Sequence, residues 1–144
     1  TARTETLFSR PGTAYIYLIY GMYHCLNFVT EPEGEPAAVL LRAIEPVAGA
    51  ETMTRLRYGD KPLTPYRKKN ALNGPGKVCQ AMALTRAENG LDLTGDTLFL
   101  CDAPEAAGLP PFPVPERETI LTGPRIGVDY AEEARDFPWR FRLV

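Results

Sequence analysis

Apolar and polar side chains alternate most densely from Tyr15 to Val29, Y-I-Y-L-I-Y-G-M-Y-H-C-L-N-F-V. Two stretches of β-branched and aromatic residues flank Gly21, a pattern that predicts strand, turn and strand. Hairpin tips usually hold polar turn formers such as Asn-Gly, yet here Tyr20 and Met22 flank the glycine. Either the tyrosines and Met22 are ordinary core packing, or an exposed apolar tip is received by something outside the fold. Parity places Tyr15, Tyr17 and Ile19 on one face of the first strand, and Tyr23, Cys25 and Asn27 on one face of the second.

The remaining pattern is coarser. Thr1 to Gly12 is a polar lead ending in the turn Arg10-Pro11-Gly12, and Thr30 to Pro36 is a connecting loop. Ala37 to Ile44 predicts a strand buried on both faces and interrupted by Arg42. Ala50, Met53 and Leu56 at three-residue spacing predict a helix within Val47 to Tyr58. Gly59 to Asn73 reads as a basic loop. Val78, Ala81, Met82 and Thr85 share one helical face, which puts Asn73 to Lys77 at a helix start and Asn89-Gly90 at its end. Thr97 to Asp102 predicts a strand, Ala103 to Pro115 an extended proline-rich loop, and Thr119 to Val128 two short strand pieces. An acidic helical turn over Asp129 to Arg135 and a last strand over Trp139 to Val144 complete the chain, with Arg140 and Arg142 on one face.

Composition narrows the class. A chain of 144 residues is long enough for one domain with one sizeable core. No apolar run reaches the ~20 residues that span a bilayer, and the first residues contain no signal-peptide core. The three cysteines, Cys25, Cys79 and Cys101, fit neither a metal spacing nor a disulfide framework, and His24 is the sole histidine. No metal or cofactor is expected. The formal charge of −2 disfavours a purely electrostatic nucleic-acid binder, although residues 1–90 hold 11 Lys/Arg against 8 Asp/Glu. A polyanion-binding face would belong to that part.

Candidate chemistry gathers on the hairpin. Asn27 and Arg42 are polar groups among apolar neighbours, and each needs partners if buried. Arg42 is either a structural ion-pair partner or faces a ligand. Aromatics, an amide and a guanidinium converging on one sheet face describe a pocket for a flat, hydrogen-bonding ligand, and a nucleobase fits. Lys77, beside Gly74-Pro75-Gly76, is a possible phosphate contact without Walker spacing.

The runs P-G-T-A-Y-I-Y-L-I-Y-G-M-Y-H-C-L-N, A-V-L-L-R-A-I-E-P, N-G-P-G-K-V-C-Q-A-M and R-I-G-V-D-Y-A occur in order along nearly the whole chain. In these it resembles the 3-methyladenine DNA glycosylases of the alkyladenine (methylpurine) type. The resemblance implies an α+β (mixed α/β) single domain: a curved, largely antiparallel sheet with a protruding β-hairpin and flanking helices. It implies that Tyr20 fills the gap left by an extruded nucleotide and that Met22 flanks it. Tyr17 would stack on the extruded base, Asn27 would lie near the purine 2-position, and Arg42 would help hold the attacking water. The partner would be double-stranded DNA with a damaged purine, bound by a monomer in the bacterial cytoplasm or the eukaryotic nucleus. No membrane partner is expected.

The same resemblance implies that the catalytic glutamate, with a pocket Tyr and His, belongs to a motif upstream of Thr1. Glu5 and His24 match neither. The chain is then either a fragment of a longer glycosylase or a shortened relative, and should bind DNA better than it cuts glycosidic bonds. A lesion-binding module without catalysis and a small-molecule pocket protein are the other readings.

Overall fold

The alternating stretch folds as β1 (Ala14–Ile19) and β2 (Tyr23–Val29), paired antiparallel with Tyr15 opposite Asn27 and Tyr17 opposite Cys25. The structure is a computed structural model and describes residues 2–111 and 119–143. These residues group into two compact units, one up to Asp102 and one from Ala103 onward. With antiparallel sheets and short flanking helices, the fold is mixed α/β, as expected.

In the first unit, β3 (Ala38–Leu40) pairs antiparallel with β2, giving the order β1-β2-β3. Side chains alternate across a strand, so the even-numbered residues of β1 share one face. Ala14, Ile16 and Leu26 form a buried cluster with Cys79, Leu84 and Leu93. Each large aliphatic side chain buried there contributes roughly 1.5–3 kcal/mol. The cluster also fixes the register, because a slip of one residue would turn it outward.

Three helices follow: α1 (Ala50–Tyr58), α2 (Pro65–Lys69) and α3 (Pro75–Ala81). Thr64 caps α2, its hydroxyl accepting from the Arg67 N–H. Pro75 opens α3 where no intrahelical N–H is needed, and Val78, Cys79 and Ala81 are buried. Gly76 permits a close approach to β2: a Cβ there would lie 3.1 Å from Cβ of Tyr23.

The outer edge of β1 is closed by a segment that is no strand. Ala14 N–H donates to Leu91 O at 2.8 Å, and Gly90 N–H donates to Ala14 O at 2.8 Å. The Asn89 side-chain oxygen accepts the Ile16 N–H at 2.8 Å. Nearby, Arg10 pairs with Asp92, which also accepts from the Thr94 N–H and hydroxyl.

Several elements depart from the sequence pattern. The strand expected over Ala37 to Ile44 is only three residues long. It lies at the sheet edge, where Val39 is 56 % exposed, so it is not buried on both faces. Arg42 falls beyond it. The helix expected to end at Asn89-Gly90 stops at Ala81; Ala83 turns left-handed (φ 53°), and Arg86–Glu88 forms a separate 3-10 turn capped by Thr85. Thr97 to Asp102 forms no strand: one bond, Leu100 N–H to Leu93 O, ties it down, and only Leu98 packs against the core. An apolar run that finds no strand to pair with does not make a strand. The polar lead contains a 3-10 segment, Ala2–Phe8, and the basic loop contains α2.

In the second unit, β4 (Ile120–Gly123) and β5 (Arg140–Leu143) pair antiparallel. Arg140 and Arg142 share a face and, with Leu121 and Gly123, line a cavity of about 220 Å³. The second strand piece expected after Gly123 is irregular, since Pro124 and Gly127 break it. The Arg125 guanidinium sits 5.2 Å from the Trp139 ring and donates to Ala134 O. Asp129–Arg135 is 3-10 helical with a break at Glu132 (φ 47°). Pro104–Ala107 forms a 3-10 turn within the expected proline-rich loop, whose positions 112–115 lie outside the described residues, as does Val144 of the final strand.

Candidate functional site

The hairpin tip combines an uncommon backbone with an uncommon surface. Tyr20 (φ 53°) and Gly21 (φ 68°) are both left-handed, and Met22 N–H donates to Ile19 O at 3.2 Å. That is the primed turn that Asn-Gly makes readily. A tyrosine in its first position costs about 1–2 kcal/mol. Its ring gains nothing from the core in exchange, because Tyr20 is 82 % and Met22 65 % exposed. Backbone strain that packing does not explain points to a functional constraint.

Below the tip, one sheet face carries the polar groups. Tyr17 is half-buried, with the Tyr15 ring 5.3 Å away at 40°. Tyr17 faces Cys25 across the pair, and burial, reinforced by the neighbouring thiol, pushes the Tyr17 phenol up to about 12. It is therefore neutral at physiological pH. Burial also raises the Cys25 thiol, with the Arg42 charge acting near it in the opposite sense. The structure thus sets Tyr17 opposite Cys25, with the Arg42 charge acting on that thiol.

Asn27 lies one pair further along the same face and is 6 % exposed. Its amide nitrogen donates to Tyr15 O at 3.1 Å and Cys25 O at 3.4 Å. Those bonds satisfy a buried amide and hold its plane against the hairpin backbone. His24 pairs with Leu18 on the opposite face, and Glu5 is exposed on the 3-10 segment.

Lys77 is in a different place. With Arg57, Tyr58, Tyr66, Arg67 and Asn70 it lines a groove of about 490 Å³. The guanidiniums of Arg57 and Arg67 stack on Tyr58 at 5.0 and 5.7 Å, and their hydrogen bonds go to uncharged oxygens of Ala71, Gln80 and Pro62. Lys77 Nζ donates to Asn73 Oδ1 at 2.7 Å. Neutral acceptors orient these cations without cancelling their charge. Gly76, beside Lys77 in the chain, packs on Tyr23 of the hairpin.

Two participants were not singled out as site residues from the sequence. Cys25 opposite Tyr17 follows from the hairpin register, which the turn length decides. Arg3, whose guanidinium lies 5.2 Å over the Tyr17 ring, leaves no sequence signal at all.

A family model described as methylpurine-DNA glycosylase (MPG) matches residues 1–144. A protein of Bacillus cytotoxicus named "Putative 3-methyladenine DNA glycosylase" is 50 % identical over 141 residues, covering 98 % of this chain and 67 % of the relative. A Bacillus mycoides protein of the same name is also 50 % identical with the same coverage. One from Bacillus thuringiensis is 49 % identical over 98 % of this chain and 66 % of its own length. The chain therefore spans about two thirds of these relatives.

Proposed function

We propose, starting from the fact that this chain belongs to the methylpurine-DNA glycosylase family, that it binds duplex DNA at a damaged purine, extrudes the nucleotide and serves hydrolysis of its N-glycosidic bond. The observation that carries this reading is the strained, exposed Tyr20 at the tip of the hairpin whose face holds Tyr17 and Asn27.

Extrusion costs a few kcal/mol of pairing and stacking, least at a damaged base. Tyr20, wedged into the vacated stack beside Met22, offsets part of that cost. The extruded base stacks on Tyr17, regaining ~1–3 kcal/mol. Asn27, locked by its own hairpin, presents a fixed edge near the purine 2-position that disfavours guanine's amino group. Lys77 and its groove take a backbone phosphate. In this reading the sheet curves beneath a protruding hairpin, the chain acts as one domain, and it works as a monomer on chromosomal DNA in the cytoplasm or the nucleus.

In the chemical step, water oxygen bonds to the sugar carbon as the carbon–nitrogen bond breaks, and the bond's electron pair leaves with the purine. Arg42 helps hold the water, whose proton passes to a carboxylate. No hydrogen bond or ion pair among the described residues brings a carboxylate to Tyr17, Asn27 or Arg42. That observation favours a second reading, a lesion-binding module that does not itself hydrolyse. Release of hypoxanthine or 3-methyladenine from duplex DNA separates the two.

Tyr20→Ala tests the shared premise. Duplex affinity at a lesion should fall about 5- to 100-fold, with the melting temperature kept or raised. An unchanged lesion affinity in a folded variant would sink the wedge.

A further inference from the structure

We infer that Arg3 sets the charge preference of the base pocket, turning it toward neutral damaged purines and away from cationic ones. The inference rests on reading Tyr17 as the ring that stacks on the base.

Arg3 belongs to the 3-10 segment Ala2–Phe8, and its guanidinium lies 5.2 Å from the centroid of the Tyr17 ring. The Tyr15 hydroxyl donates to the Arg3 carbonyl at 3.2 Å, so the backbone that carries this charge is anchored to the same strand. Among the described residues no carboxylate forms a salt bridge with Arg3. Among the described residues nothing neutralises the positive charge on that face of Tyr17, and a base would stack on the other.

Damaged purines divide into two charge classes. Alkylation at N3 or N7 leaves the purine cationic, whereas deamination of adenine leaves neutral hypoxanthine. A cation on one face draws the π electrons toward itself, so a second cation on the far face finds less to bind. The two positive charges also repel across the ring, in a partly exposed site where the effective dielectric is well above that of a dry interior. A neutral purine meets no charge–charge repulsion. The expected selectivity is about three- to tenfold.

The test measures affinity of the intact protein for three duplexes with 2′-fluoro sugars, which resist cleavage. They carry hypoxanthine, 7-methylguanine or undamaged guanine at one position. Dividing each lesion affinity by that for undamaged DNA cancels the general attraction of Arg3 for phosphates. Arg3→Gln should raise the 7-methylguanine-to-hypoxanthine ratio about three- to tenfold. Arg3→Lys, which keeps the charge, should hold the ratio near that of the unmodified protein. A ratio unmoved by Arg3→Gln, or both lesions gaining equally because Arg3 had merely covered the pocket, overturns the inference. Tyr17→Ala identifies which premise failed. Weaker binding of both lesions, with the Arg3→Gln ratio unmoved, rejects only the role of Arg3. If Tyr17→Ala leaves both affinities unchanged, the stacking reading falls and the inference with it.

Discussion

Tyr20 answers to two demands that pull against each other. The turn wants a residue that accepts a left-handed backbone, and Asn is the best fit before Gly21. Lesion binding, on the proposed reading, wants a large ring. Tyr20→Asn should therefore stabilise the fold by about 1 kcal/mol, seen as a higher urea midpoint, while lesion affinity drops as far as in Tyr20→Ala. A variant that lost both stability and affinity would show that the ring holds the hairpin together. At this scale the sequence was informative where a residue broke a local rule. The apolar tip and the mid-strand Asn27 both stood out. The partners of Asn27 did not, because a short amide bonding to Tyr15 O and Cys25 O needs the register first.

Elements were legible when their own residues decide them. The hairpin, α1 and the strand ending the chain follow from alternation or three-residue spacing. β3 and the segment Thr97 to Asp102 do not, because their form depends on which sheet edges are already occupied. The Asp92 turn, next to the latter segment and closed by Thr94, ties the loop after α3 to the residues preceding β1 through Arg10. Hydrogen bonds from the Thr94 hydroxyl and N–H, then from Arg10, hold the Asp92 carboxyl down at about 2, below its ordinary 3.8. A group depressed on folding stabilises above its unfolded pKa and ceases to do so as pH falls through the folded one. Stability should thus decline between about pH 4 and 2 through Asp92. Asp92→Asn should flatten that part of a denaturant-midpoint profile and lower the plateau above it. An unchanged slope would show that Asp92 is not the titrating group.

Across the molecule, a formal charge of −2 conceals a basic groove. Duplex binding through it should follow salt by counterion release, about 0.9 in the log–log slope for each phosphate contact. Lys77→Ala should reduce that slope by about 1 on damaged and undamaged DNA alike. A loss confined to damaged DNA would place Lys77 at the base instead. The sequence pointed to this region by its charge split, but not to a groove, because α2 had no recognisable periodicity in five residues. The sheet carries one further consequence. An open strand flank invites a neighbouring chain to dock there by main-chain bonding, the first step toward fibrous precipitation. By offering a side-chain oxygen to the Ile16 N–H where a stranger's carbonyl would otherwise attach, Asn89 occupies that position of β1's flank and disfavours such docking there.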